Sequence, residues 1–203
     1  LVEYWTFNLL SAIMSCVAVY FFAASLKKLS VQHYLLAGLC FSMVPAIYAA
    51  STYTIDYMWA TAFCLASFYF FLGRKYWLSR ILLGLAIGCR ITSGAWLLCF
   101  LPFFDGKLFS KTSVKPFLLL LLPLLLTSFI CYLPVINRYG LGFFLYYDQF
   151  PYPPLSKVIY KASIGVWGLL GVIALIVFVP LSMKNFKTVD KRILYALLIA
   201  VVL

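Results

Sequence analysis

Long apolar runs separated by short basic segments constrain this sequence more than any other feature. The apolar runs cover roughly 5–26, 33–50, 56–73, 78–104, 116–136, 158–182 and 193 onward. A helix needs about 20 apolar residues to cross a bilayer, and most of the runs approach that length. The chain is 66% hydrophobic and only 10% charged, whereas soluble domains are roughly 45–50% apolar and 25% charged. The sequence therefore predicts an all-α integral membrane protein with about six to eight transmembrane helices.

The net charge of +11 comes from basic residues in the short segments between the apolar runs. This distribution is typical of the positive-inside bias of membrane proteins, so we expect no nucleic-acid partner.

The run 78–104 is ambiguous. It fits either one tilted crossing or a re-entrant pair of short helices, 78–90 and 92–104, that returns to the side it came from. The re-entrant pair places twelve Lys and Arg residues on one side and three on the other, whereas one crossing places eight against seven. The bias favours the re-entrant pair, here named the Arg90 hairpin, over a single helix with a snorkelling or paired Arg90.

The chain begins with Leu1 rather than Met and ends in a short apolar run. We expect residues 1–203 to be part of a single multi-spanning transmembrane domain, truncated at both ends. With the Arg90 hairpin in place, the turn near 51–56 and the 137–157 loop share the outer side of the membrane. The chemistry is expected there or just beneath.

Arg90 stands in the middle of the segment GLAIGCRITSGAW. A guanidinium near the bilayer centre costs at least a few kcal/mol, so such a residue usually faces a cavity or a partner. Thr92, Ser93 and Gly94 are suited to ending one helix and starting the next, whose first turn has free backbone N–H groups. The sequence thus predicts a phosphate-binding site at Arg90, Thr92 and Ser93. The alternative is a structural arginine paired with a buried carboxylate or with backbone carbonyls.

Asp56 is the only acidic residue between Glu3 and Asp105. It lies where two apolar runs meet on the predicted outer side. Four interpretations remain open: a ligand for a divalent metal, a contact to an acceptor sugar hydroxyl, a partner of Arg90, or an interfacial residue favoured by a helix dipole. No cofactor is otherwise indicated by a sequence motif.

The 137–157 loop is rich in aromatic residues and proline. Its Asp148 and Gln149 are candidate contacts to an acceptor, because aromatic faces and amide groups suit carbohydrate. An aromatic belt at the membrane surface predicts the same composition, so both interpretations stay open.

The order of these features resembles the GT-C superfamily of membrane glycosyltransferases, in particular the branch similar to protein O-mannosyltransferases and lipid A aminoarabinose transferases. The similarity runs from Tyr4 to Phe104, about half of the chain. It follows the segments YWTFNLLSAIMSCVAVYFF, LKKLS, VPAIYAASTYTID, YFFLGRKYW and GLAIGCRITSGAWLLCFLPFF. It is a likeness of pattern rather than of a rigid motif.

The resemblance implies inverting transfer of a sugar from a polyprenyl- or dolichyl-phosphate-linked donor to a glycan, lipid or protein acceptor on the outer membrane face. It implies that Arg90 steadies the departing phosphate and that Asp56 matches an acidic position often found in the second outer loop. The catalytic acid of that family lies in the first outer loop, expected upstream of Leu1, so this piece is expected to be inactive alone.

The expected location is the bacterial inner membrane, or the ER membrane in a eukaryote, with membrane lipids as further partners. The alternative function is a multi-pass transporter or lipid flippase with a midplane anion site at Arg90.

Overall fold

The computed structural model describes residues 4–52, 56–100, 111–143 and 154–160, together with positions 168, 172 and 173. Within these residues the chain is helical and has no strand, which confirms the all-α prediction for this part of the chain. The elements are α1 (Tyr4–Lys28), α2 (Tyr34–Ser42), α3 (Pro45–Thr52), α4 (Tyr57–Leu72), α5 (Tyr76–Cys89), a 3-10 helix (Ile91–Trp96), α6 (Leu97–Phe100), α7 (Lys111–Tyr139) and α8 (Leu155–Tyr160).

Among the described residues, two helical segments are long and apolar enough to cross a membrane, namely Trp5–Lys28 and Leu121–Tyr139. Helices α2 and α3 make a third when taken as one span, although their axes differ by 58°. The described part of the chain thus has two or three candidate spans, and the predicted six to eight are not confirmed. The predicted runs 158–182 and 193 onward lie largely outside the described residues.

The prediction of one continuous helix over 33–50 is wrong. Helix α2 ends at Ser42 and α3 begins at Pro45. Proline has no backbone N–H and disfavours the helical conformation in the residue before it, so the helical hydrogen bonds are interrupted here. The N–H groups of Met43 and Val44 donate back to carbonyls in the last turn of α2. The result is a bend in place of a straight span.

Helix α4 is the central element, because it packs against α1 on one side and α5 on the other. Its buried positions, which lie on both sides of the helix, are rich in small residues, including Ala60, Ala62, Cys64, Ala66 and Ser67. Small side chains let helices approach closely. The buried Ser67 hydroxyl donates to the carbonyl oxygen of Ser79 in α5 at 2.8 Å. This buried polar group of the α4–α5 interface therefore has a hydrogen-bond partner.

Lys28, the last residue of α1, joins that end of α1 to the end of α4. Its Nζ donates to the carbonyl oxygen of Tyr69 at 2.9 Å and lies 3.5 Å from the centroid of the Tyr69 ring. A cation at a helix C-terminus interacts favourably with the carbonyls that have no partner in the helix. Helices α1 and α4 therefore run parallel and end at the same level.

Candidate functional site

The helical path of α5 stops at Arg90. Arg90 has an extended backbone, with φ −148° and ψ 121°. Its N–H still donates to the Ala86 carbonyl at 2.9 Å, and its own carbonyl accepts from the Ser93 N–H at 2.9 Å. The 3-10 helix begins at the next residue, Ile91. The break thus falls where the sequence predicts it.

The segment after the break folds back along α4 towards the start of α5. Phe100, the last residue of α6, stacks on Phe71 near the end of α4, with ring centroids 4.8 Å apart. Phe71 in turn contacts Tyr76, the first residue of α5, at 5.7 Å. The two arms of the Arg90 hairpin are therefore α5 and residues 91–100. The last four residues of the predicted second arm lie outside the described part of the chain.

Helix α7 packs tightly against the first arm of the hairpin. A Cβ atom added to Gly88 would lie 2.5 Å from the Cβ of Cys131. One added to Gly84 would lie 2.7 Å from the Cβ of Thr127 and 2.9 Å from the carbonyl oxygen of Leu124. Glycines four residues apart lie on one face of a helix and allow close approach of a second helix. These two glycines thus allow α7 to lie close against the end of α5.

Tyr132 of α7 stabilises the end of α5. Its hydroxyl donates to the carbonyl oxygen of Ile87 at 3.0 Å. The last carbonyls of a helix have no partner within the helix, so a donor from another element is needed when they are buried. Sequence reasoning missed Tyr132, because no local pattern connects residues 45 positions apart.

The guanidinium of Arg90 lies at the start of α4, beside Tyr57 and Asp56. Its Cζ is 3.6 Å from the centroid of the Tyr57 ring, and its Nε is 3.9 Å from Oδ2 of Asp56. The Nη1 atom is buried and has no hydrogen-bond partner among the described residues. A buried donor without an acceptor is unfavourable, so this nitrogen is where an added acceptor would bind.

The contact with Asp56 leaves much of the Arg90 charge available. The Arg90 side chain is 28% exposed, the Asp56 side chain is 49% exposed, and the 3.9 Å separation exceeds hydrogen-bond length. Pairs of this kind contribute roughly 0–1 kcal/mol. Asp56 also occupies the N-cap position of α4 without making a side-chain capping bond. Of the four interpretations of Asp56, the structure places it beside Arg90.

A cavity of about 250 Å³ opens next to the guanidinium, between α4 and the 3-10 helix. Its wall contains all three predicted phosphate-binding residues, Arg90, Thr92 and Ser93. Tyr57 and Thr61, one turn apart on α4, complete the polar part of the wall. Sequence reasoning missed these two residues, although their spacing of four places them on one helix face. The cavity therefore combines one guanidinium with several hydroxyl groups.

The remaining predicted site residues are not brought to this cavity. Asp148 and Gln149 lie outside the described residues. In the described part of the chain, no group of three or more His, Cys, Asp or Glu side chains is arranged to hold a metal ion. Asp56 has Arg90 as its charged neighbour rather than a second carboxylate.

Comparison of the chain with protein-family models, with curated proteins and with solved structures gives no match. What the fold and the site define is a helical protein with helices of membrane-spanning length and a cationic cavity at a helix break. Its function has to be argued from that cavity.

Proposed function

We propose that this chain belongs to a membrane-embedded glycosyltransferase that uses a polyprenyl- or dolichyl-phosphate-linked sugar, and that Arg90 binds the phosphate of the donor. The observation that carries the proposal is the buried Nη1 of Arg90, which has no hydrogen-bond partner among the described residues and borders a cavity. The resemblance in segment order to GT-C enzymes supplies the reaction class.

A phosphate group suits this cavity better than a carboxylate or a neutral ligand. A guanidinium holds two phosphate oxygens at once, and the remaining oxygens accept hydrogen bonds from hydroxyl groups. The cavity wall supplies such groups from Thr92 and Ser93, whereas the Thr61 hydroxyl donates to the Tyr57 carbonyl at 2.8 Å. Because the wall also contains Trp96 and Cys99, part of it is apolar, as a lipid-linked ligand requires.

The proposed reaction places a developing charge beside Arg90. An acceptor hydroxyl oxygen forms a bond to the anomeric carbon of the sugar, the bond from that carbon to the phosphate oxygen breaks, and a general base takes the hydroxyl proton. The donor phosphodiester carries one negative charge and the released lipid phosphate gains a second. A guanidinium already in position stabilises that second charge more than the first, which is the requirement for catalysis.

The proposed arrangement in the membrane follows from the same hairpin. The first arm of the Arg90 hairpin begins at Tyr76 and the second arm returns to that level, so Arg90 lies at the opposite end of α4. We assign this end of α4 to the outer side of a multi-pass protein of the bacterial inner membrane. The acceptor, a glycan, lipid or protein, would approach from that side. Asp148 and Gln149 are proposed to contact it.

The test is sugar transfer from a radiolabelled polyprenyl-phosphate donor by the full-length protein in lipid. Arg90→Ala is expected to lower kcat by about 10²–10³-fold, the usual effect of removing one donor that stabilises transition-state charge. Arg90→Lys keeps the charge but not the two-oxygen geometry, so we expect an intermediate rate. The matched control is Arg138→Ala, which changes an exposed arginine in the last turn of α7. This variant should retain the wild-type rate.

Full activity of folded Arg90→Ala would refute the role of Arg90. Binding of the lipid phosphate to wild-type protein without any sugar transfer would refute the enzyme and support the transporter or flippase instead.

A further inference from the structure

Five basic side chains from three elements gather where α1 and α4 end and α5 begins. They are Lys27 and Lys28 at the end of α1, Arg74 and Lys75 between α4 and α5, and Arg80 in α5. We call this group the basic end. Its members lie far apart in sequence, so the fold rather than a single charged stretch creates it.

Packing brings two of these like charges, Lys28 and Lys75, close together. Lys28 is fixed by its bond to the Tyr69 carbonyl, and its Nζ would be 2.6 Å from a Cβ at Gly73. Lys75 lies close enough to Lys28 for the two charges to repel each other. Such repulsion is unfavourable unless an anion lies nearby.

The described residues supply no anion at the basic end. Their single acidic residue is Asp56, which precedes the first turn of α4, whereas the basic end follows its last turn. The 16 residues of α4 separate the two by about 24 Å, more than twice the Debye length of about 10 Å at moderate salt. A counter-charge has to come from outside this part of the chain.

Arg80 shows where that charge would bind. Its Nε is buried and has no hydrogen-bond partner among the described residues. Trp77 lies three residues earlier on the same face of α5 and is 66% exposed. Exposed Trp beside Arg or Lys is typical of the headgroup level of a membrane, where the cation reaches a lipid phosphate while its methylene groups stay in the apolar region.

We propose that the basic end binds the phosphate of an anionic membrane lipid, with Arg80 and Lys75 as its main contacts. Five cations with no acidic neighbour among the described residues match an anionic headgroup, and clusters of this size next to membrane helices attract anionic lipids at about fivefold in affinity per cation. This site is separate from the cavity at Arg90 and does not depend on the sugar-transfer proposal.

The experiment is titration of the full-length protein with phosphatidylglycerol and, separately, with phosphatidylcholine, followed by native mass spectrometry. The measured quantity is the ratio of the two dissociation constants for the first bound lipid. Lys75→Gln/Arg80→Gln is expected to lower the preference for phosphatidylglycerol about 25-fold, since two cations are removed. Lys28 is kept in this variant because it also caps α4.

The matched control is Arg138→Gln/Lys157→Gln, which removes one Arg and one Lys from exposed positions in α7 and α8. It should leave the preference unchanged. Lys75→Gln alone changes one exposed side chain and should lower the preference about fivefold, so it tests the site even if the double glutamine variant fails to fold.

Three results would overturn the proposal. The first is an unchanged preference in Lys75→Gln/Arg80→Gln. The second is an equal loss of preference in the control variant, which would show that net charge alone matters. The third is complete displacement of the lipid by equimolar inorganic phosphate, which would indicate a site for free phosphate.

Discussion

Replacing Gly88 with alanine should loosen the contact between α5 and α7. The new Cβ would lie 2.5 Å from the Cβ of Cys131 and 2.8 Å from its Sγ, whereas carbon atoms in contact prefer about 3.5–4.0 Å. The neighbour is the Cβ of a helical residue rather than the end of a flexible side chain, so the helices themselves must separate by about 1 Å.

The expected cost follows from two opposing effects. Overpacking of a close contact usually costs about 1–3 kcal/mol, and alanine regains up to about 1 kcal/mol because it forms helix better than glycine. We expect a net loss of about 1–2 kcal/mol, which corresponds to a fall in Tm of about 2–8 °C for a chain of this size. Thermal unfolding in detergent, followed by far-UV circular dichroism, measures it.

Gly94→Ala is the matched control, because a Cβ there would lie 3.6 Å from Cδ1 of Ile87, an ordinary contact distance. It should leave the Tm unchanged or raise it slightly. In a Cys131→Gly background, Gly88→Ala should no longer be destabilising, since the neighbouring Cβ is gone. Equal Tm values for wild type and Gly88→Ala, or no recovery in the double variant, would show that the close contact is not what limits this interface.

Two further predictions concern the tip of the hairpin, near Arg90. Tyr132→Phe removes the donor to the Ile87 carbonyl and should cost about 1–3 kcal/mol of unfolding free energy, because the acceptor stays partly buried; a Tm equal to that of the wild type would contradict this. Asp56→Asn removes the negative charge beside Arg90, so it should change stability by no more than about 1 kcal/mol and should strengthen binding of pyrophosphate measured by calorimetry. Weaker binding would instead show that the carboxylate is needed to hold the guanidinium in place.

The break at Arg90 could be predicted because its signals are local. A cation inside an apolar run, followed directly by Thr, Ser and Gly, marks the position without knowledge of any neighbour. The bend before Pro45 has an equally local signal, the proline itself, which the apolar run over 33–50 does not reveal. Hydropathy reports whether a segment is apolar, whereas proline determines whether its backbone stays continuous.

The partners of the break could not be predicted in the same way. Tyr57 and Thr61 line the cavity only because α4 packs beside the hairpin, and Tyr132 reaches Ile87 only because two glycines let α7 approach. These contacts join residues far apart in sequence, so spacing within one helix shows which residues share a face but not what that face contacts. The runs 158–182 and 193 onward remain predictions.

The difference in length between α1 and α4 has a consequence for the lipid around them. The two helices end at the same level, α1 at Lys28 and α4 at Leu72, but contain 25 and 16 residues. At its other end α1 therefore extends about 14 Å beyond the start of α4. Asp56 and Arg90 therefore lie about 14 Å below the level at which α1 begins. In the multi-pass arrangement proposed above, α4 measures about 24 Å against a hydrocarbon layer of about 30 Å, so a bilayer around the start of α4 would become locally thinner, at a cost that grows with lipid chain length. In that arrangement, bilayer thickness would set how readily a water-borne molecule reaches Arg90, and shorter-chain lipids should ease its access.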